Sequence, residues 1–226
     1  MSQVLIIGAS HGIGRALLEQ QLPVRSCINM SRTSAGVSAP NFSEYQLDVL
    51  DAELPELDDL QSIVYCPGTI NLKPINSLKE EQLLEDFRIN VYGAYRVIRR
   101  YVKTLKKAAN PSIVLFSTVA VSQGMPFHSS VAASKGAIEG MVRALAAELA
   151  PRIRVNAIAP TITDTPLAKN ILRNESMVEK MKERHPLKRI LQAEEVAKLA
   201  SYLISEDAVS MTGQILRIDA GMSGIQ

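Results

Sequence analysis

The chain has 226 residues, 46% of them hydrophobic, and a formal net charge of +2 from 25 Lys plus Arg against 23 Asp plus Glu. That is the size of a single α/β domain with a continuous core. So small a charge excess makes no long-range field to recruit nucleic acid or an anionic membrane, which leaves small molecules or other protein surfaces as the expected partners.

Along the chain, short β-rich runs alternate with longer helical patterns. Strands are predicted at Gln3 to Gly8, Ser26 to Met30, Glu44 to Leu47, Ser62 to Cys66, Ser112 to Thr118, Arg154 to Ala157 and Gln214 to Ile218. Helices are predicted near Ile13 to Gln21, Lys79 to Lys107, Ser130 to Ala150, Ser176 to Glu183 and Ala193 to Ser205. This alternation predicts an α/β fold with a seven-stranded, mostly parallel sheet flanked by helices on both faces and joined by right-handed crossovers. Between Ser34 and Gln61 the chain is too short and too rich in Ser, Pro and Asp for two full crossover helices, so those layers are expected to be abbreviated. No repeat or linker interrupts residues 1–226, and one domain is expected.

The two cysteines, Cys27 and Cys66, each lie in an apolar run, which argues against a disulfide framework and for a reducing compartment. No metal-ligand cluster is visible. The chain enters a strand by Gln3 without a basic leader, and no apolar run approaches membrane-spanning length, so the expected location is cytoplasmic.

The most informative segment is Gly8-Ala9-Ser10-His11-Gly12-Ile13-Gly14, directly after the apolar run Val4 to Ile7. Glycines there remove the Cβ atoms that would keep the backbone from a pyrophosphate, and a helix starting near Gly12 presents unpaired N–H groups to that anion. Taken alone, the segment also fits a plain strand-to-helix turn.

The order of motifs resembles the short-chain dehydrogenase/reductase family over essentially the whole chain. Ile7 to Gly14 is similar to its glycine-rich turn, with Ile7 in place of Thr; Asp48-Val49 is similar to its adenine-contacting pair; Gly68 closes Tyr65-Cys66-Pro67-Gly68 where the family has Asn-Asn-Ala-Gly. Asn90 in Ile89-Asn90-Val91-Tyr92-Gly93 matches the helix asparagine, and Arg154 to Pro160 and Thr212 to Gly221 match the sixth and last strands. The resemblance implies a Rossmann-type doubly wound fold and a dinucleotide cofactor held by Gly8, Ser10, His11, Gly12, Ile13, Asp48, Val49 and Gly68. Thr163 and Thr165 would hold the nicotinamide carboxamide, although the usual glycine after Pro160 is Thr161, a β-branched residue that tolerates positive φ badly. The second strand ends at Ser31-Arg32 with no acid for a ribose 2′-hydroxyl, and Arg32 suits a 2′-phosphate, so NADP is expected over NAD.

Chemistry departs from the family pattern. Its proton donor is a tyrosine four residues before a lysine, and here that window reads Val131-Ala132-Ala133-Ser134-Lys135. The resemblance implies that Lys135 orients the nicotinamide ribose, that Thr118 polarises the substrate in place of a serine, and that Asn90 holds a water linking Lys135 to solvent. Ser117 is expected on the opposite strand face, with a structural part only. Enoyl reductases, a divergent branch, carry a tyrosine seven residues before the lysine; His128 stands there and could donate a proton, bind substrate or serve only as a polar loop residue. Ser129 and Ser130 read as helix N-caps, and Tyr65 as the one phenol that could edge a pocket.

Residues 166–186 occupy the position of the substrate lid, with Leu167, Ile171, Leu172, Met177 and Met181 as apolar candidates and Lys169, Arg173, Lys180, Lys182 and Arg184 as a basic set. The long helices near 79–107 and 130–150 match those through which the family forms homodimers and homotetramers. The expected function is hydride transfer between a nicotinamide and a small carbonyl, alcohol or activated alkene. Because Val131 carries no proton, two other readings stay open: a catalytically silent nucleotide-binding protein controlling a partner interaction, and a non-redox dehydratase or isomerase on the same fold.

Overall fold

The computed structural model describes residues 3–225. Its main sheet has seven parallel strands: β1 (Gln3–Ile7), β2 (Ser26–Ser31), β3 (Phe42–Gln46), β4 (Ser62–Tyr65), β5 (Ser112–Phe116), β6 (Arg154–Pro160) and, last in the chain, the strand Ile215–Ile218. A separate parallel pair, β7 (Thr163–Asp164) with β8 (Leu191–Gln192), follows β6, so the last strand of the main sheet is β9. The order β3-β2-β1-β4-β5-β6-β9 reverses direction between β1 and β4, which opens a crevice at the carboxyl ends of those two strands.

Among the described residues, six α-helices complete the fold: α1 (Gly12–Gln21), α2 (Glu80–Phe87), α3 (Gly93–Leu105), α4 (Ser129–Leu149), α5 (Glu175–Glu183) and α6 (Ala193–Leu203). None is long and apolar enough to cross a membrane among the described residues. The central strand β1 shows how the sheet is covered. Leu5 and Ile7 pack with Val97 and Tyr101 of α3 and Ile138 and Val142 of α4, whereas Val4 and Ile6 pack with Leu17 and Leu18 of α1 and Val196 and Leu203 of α6. Alternate strand residues point to opposite faces, so a strand apolar at every position requires a helical layer on each side.

All seven expected strands are present in the main sheet. The shortened crossovers also appear: β2 reaches β3, and β3 reaches β4, with no intervening helix. Side chains satisfy the backbone groups of these crossovers instead. Arg96 of α3 donates to Val49 O (2.8 Å) and Ala52 O (3.0 Å), Arg100 to Leu54 O (3.1 Å) and the Tyr101 hydroxyl to Pro55 O (2.8 Å). On the other crossover, Glu44 of β3 accepts from Ser34 Oγ, Ala35 N and Asn29 Nδ2. Buried carbonyls and amides need partners, and long polar side chains supply them where helix turns would.

Two expectations change. The single helix expected over 79–107 is interrupted at Arg88–Tyr92 by a π-helical turn that joins α2 to α3 and contains Asn90. The helix expected to start at Ser130 starts at Ser129, with His128 in the cap position and no side-chain cap bond, so neither serine is the N-cap. Ser130 is instead fully buried and donates to Asp86.

Candidate functional site

The turn after β1 is built to bring backbone close to a ligand. Gly8 (φ +81°) and Gly12 (φ +60°) occupy the left-handed region that side chains with Cβ atoms rarely adopt. A Cβ on Gly14 would lie under 3.0 Å from Gly8 O, so the first turn of α1 can close on the strand end only with glycine there. The amino end of α1 has no side-chain cap and no acid in its first turn, which leaves its N–H groups available to an anion.

Ser10 and His11 sit at this turn, His11 exposed, with Ser10 Oγ 2.9 Å from His11 Nδ1. The turn is held from below by Asn29, a buried β2 residue that accepts from Ala9 N (3.0 Å) and donates to Ser31 Oγ and Glu44 Oε1 (both 2.8 Å). Sequence reading passed over Asn29, although a lone amide inside the apolar run Cys27 to Met30 was its signal. Arg32, at the carboxyl end of β2, is exposed, and Gln46 holds its backbone carbonyl at 3.1 Å.

Asp48 accepts from Leu50 N (2.9 Å) in a tight turn at the end of the crossover from β3, and Val49 packs into the core. Gly12 faces Thr165, whose Cγ2 lies 3.5 Å from where a Cβ on Gly12 would be. The glycine turn and the loop after β6 therefore meet. In that loop Thr163 Oγ1 donates to Thr161 O (3.0 Å) and Thr165 Oγ1 to Thr163 O (3.3 Å).

Thr161 sits in the loop without a strained backbone. Its φ is not positive, and its N–H donates to Ile218 O (3.1 Å), which extends the β6–β9 ladder by one bond. Its hydroxyl lies 2.8 Å from His185 Nε2, while His185 Nδ1 lies 2.7 Å from Met181 O. A carbonyl can only accept, so His185 Nδ1 carries a proton. His185 is buried and lines the cavity described below, a position that sequence reading missed because the residue lies beyond the helical part of the lid.

A cavity of about 610 Å³ opens beside this turn, between the ends of the central strands and residues 166–186. Ile13, Cys66, Gly68, Thr118, Val131 and Lys135 contribute to its inner wall. Of the apolar lid candidates, Leu167, Ile171 and Met181 line it and Leu172 and Met177 do not; of the basic set, only Lys180 and Arg184 do. The outer wall includes Phe127 and His128. His128 Nδ1 lies 2.7 Å from Pro126 O, so that nitrogen donates to a carbonyl and Nε2 is the ring atom left for other partners.

Lys135 and Asn90 converge beside Gly68. A Cβ on Gly68 would lie 3.3 Å from Asn90 Oδ1 and 3.5 Å from Lys135 Nζ. Burial pulls the Lys135 pKa down to about 8, with Cys66 and Asp86 acting in the opposite sense. Burial likewise pushes the Cys66 thiol up to about 12, against the charge of Lys135. Asn90 Nδ2 donates to Thr69 Oγ1 (2.9 Å) and Asp86 O (2.8 Å), and its Oδ1 is buried without a partner.

Thr118 follows the end of β5, caps the short turn Val119–Val121 and lines the cavity. Ser117, expected away from the pocket, donates to Glu139 Oε1 (2.8 Å) and also touches the cavity wall, because β5 ends at Phe116 and strict alternation stops there. Val131 is buried one turn before Lys135. Tyr65 is not at the cavity: its ring packs in the core and its hydroxyl donates to Ile89 O at 2.6 Å. Among the described residues no group of three or more His, Cys, Asp or Glu side chains gathers to hold a metal.

The comparisons with known proteins agree in direction. A family model described as enoyl-(acyl carrier protein) reductase matches residues 37–223. The chain is 32% identical to the 3-oxoacyl-(acyl-carrier-protein) reductase FabG of Thermotoga maritima, over 96% of each chain. Its fold superposes on the ligand-free aldohexose dehydrogenase of Thermoplasma acidophilum with a TM-score of 0.89, at 26% identity, covering 98% of this chain and 94% of that one. It superposes on ElxO with NADP bound with a TM-score of 0.87, at 26% identity and 98% coverage of both.

Proposed function

Because the chain belongs to the short-chain dehydrogenase/reductase family, whose members are NAD(P)-dependent oxidoreductases, we propose that it is a cytoplasmic NADP-dependent enzyme acting on a small carbonyl, alcohol or activated alkene. The observation that carries this reading is the convergence, in one crevice, of the glycine turn, the β6 loop threonines, Lys135 and an adjoining cavity. When bound, the nicotinamide would supply or accept the hydride.

The residues present fit such a group. The bare turn at Gly8 and Gly12 and the open amino end of α1 suit a pyrophosphate; Ser10, His11 and Ile13 flank it; Asp48 and the backbone of Val49 suit the adenine; Gly68 leaves room above Lys135 for the ribose. Thr163 and Thr165 would hold the carboxamide. Arg32, exposed at the end of β2, favours a 2′-phosphate and hence NADP. Thr118 would hold the substrate oxygen by its hydroxyl, and the unpartnered Asn90 Oδ1 suits a water beside Lys135. Val131 has no proton to give, so the proton must come from solvent, from Lys135 or from a histidine on the wall, with His128 the one whose Nε2 makes no hydrogen bond among the described residues.

We further propose a homodimer or homotetramer formed through α3 and α4, whose outer faces expose Tyr95 and the small residues Ala133, Gly140, Ala144 and Ala147. Light scattering on the purified chain tests it, and a monomer at micromolar concentration would remove it.

Fluorescence titration with NADPH and NADH, followed by absorbance at 340 nm across ketones, aldehydes and enoyl thioesters, tests the main reading. NADPH binding with turnover on one class is the expected outcome. Absence of nucleotide binding would overturn it. Val131 favours one second reading, a nucleotide-binding protein without turnover whose cofactor governs association with a partner; binding with no turnover on any panel member supports that one.

A further inference from the structure

Asp86 of α2 has no solvent exposure and is ringed by donors. Thr69 Oγ1 donates to its Oδ1 at 2.5 Å and Asn71 Nδ2 to the same oxygen at 2.7 Å, while Ser130 Oγ donates to Oδ2. A carboxylate accepts hydrogen bonds and gives none, so the hydroxyl proton of Thr69 points at Asp86 and the Thr69 oxygen is left to accept. It accepts from Asn90 Nδ2, at 2.9 Å. The other Asn90 Nδ2 hydrogen goes to the Asp86 carbonyl, at 2.8 Å, which also can only accept. One orientation of the Asn90 amide satisfies both bonds, and it turns Oδ1 away from Asp86 toward the point beside Gly68 that Lys135 Nζ also faces.

We propose that Asp86 is the positioning residue of this centre: through Thr69 it fixes the Asn90 amide so that an acceptor faces Lys135, and through Ser130 it anchors the turn of α4 that leads to Val131 and Lys135. The use made of the Lys135 proton rests on the oxidoreductase reading, but the orientation of the amide does not. The π-helical turn is what allows the arrangement, since it sets Asn90 where its side chain reaches back to Asp86 O and across to Thr69 at once. Among the described residues, the ionisable groups that act on Lys135 are Cys66 from the end of β4 and Asp86 from α2. Asp86 favours its ammonium against burial and the fixed Asn90 oxygen acts in the same sense, whereas Cys66, its thiol pushed up to about 12, is uncharged where Lys135 titrates.

The test reads Lys135 directly and needs neither cofactor nor substrate. Protein carrying 13C at the lysine Cε is titrated by NMR, with Lys135 assigned by its loss in Lys135→Met. Asp86→Asn keeps the shape but removes the charge and, since an amide has one acceptor oxygen where a carboxylate has two, sets hydrogens against either Thr69 and Asn71 or Ser130. Thr69→Val keeps the Asp86 charge but removes both the donor to Asp86 and the acceptor for Asn90, leaving the amide held by Asp86 O alone; Thr69→Ser preserves the chain. The Lys135 midpoint is expected to fall by about one pH unit or more in Asp86→Asn, to fall less in Thr69→Val and to hold in Thr69→Ser. An unchanged midpoint in folded Asp86→Asn overturns the proposal. Should that variant not fold, the threonine pair decides: equal midpoints in Thr69→Val and Thr69→Ser overturn it. Expected midpoints in a protein that binds no NADPH would leave Asp86 in its role and remove the oxidoreductase reading instead.

Discussion

Tyr65 and Gly93 occupy complementary space: the phenol oxygen lies under 3.0 Å from where a Cβ on residue 93 would be, and it donates to Ile89 O at 2.6 Å inside the π-helical turn. A single hydroxyl thus holds open the turn that presents Asn90, and glycine at 93 lets it in. Gly93→Ala should cost about 2 kcal/mol by overpacking, and Tyr65→Phe about 1 kcal/mol for the carbonyl left without its donor. The double variant should cost less than the two together, since removing the hydroxyl makes room for the methyl. Urea unfolding of the four proteins measures this, and strictly additive losses would contradict it.

Lys135 links stability to pH. Its pKa in the folded chain, about 8, lies below the ordinary 10.5, so between those values the unfolded chain binds more protons and stability rises with pH. Below pH 8 both states carry the proton, and the buried ammonium costs about 3 kcal/mol. Lys135→Met should therefore be more stable than the natural chain at pH 7, with the difference shrinking as pH climbs from 8 toward 10.5. Denaturant midpoints at several pH values check it. A difference independent of pH would show that the ammonium is not penalised.

Arg32 should decide between the two nicotinamide cofactors. A charged hydrogen bond to a phosphate is worth about 1.5–3 kcal/mol. Arg32→Glu should weaken NADPH binding by roughly 10- to 100-fold and leave NADH binding equal or better. Equal losses for both nucleotides would assign Arg32 a structural part only.

Val131 can be asked to become a donor. It is buried against the cavity one turn before Lys135, so Val131→Tyr places a phenol on the same helix face. A positioned acid contributes on the order of 100-fold or more to such reactions. Carbonyl reduction at 340 nm should rise by about that factor. If the variant binds NADPH but gains nothing, proton supply is not what limits the natural chain.

The elements most legible in the sequence were those whose cause is local. Apolar β1 and the glycines after it announce a buried strand and a bare turn, because covering both faces of a strand and closing a turn without Cβ atoms are short-range demands. The shortened crossovers were legible for the same reason, from composition alone. Asn29, Asp86 and His185 were not. Each has at least one partner 15 or more residues away, and for Asp86 and His185 nothing local separates the residue from a solvated one, while Asn29 shows only as a lone amide in an apolar run. The break in the helix over 79–107 was hidden too, since it is set by Tyr65 reaching across from another strand.

By itself, then, the sequence determined the parallel α/β architecture, the place of the glycine turn, and the presence of Lys135 without a proton-bearing neighbour at 131. Only the tertiary structure decided which way the Asn90 amide points, that Thr161 extends a ladder and meets His185, and that Lys180 and Arg184 are the lid cations at the cavity. The physical reason is that hydrogen-bond polarity and burial depend on all the groups around an atom, and in this fold α2, the end of β4 and α4 reach one point only after the sheet has assembled.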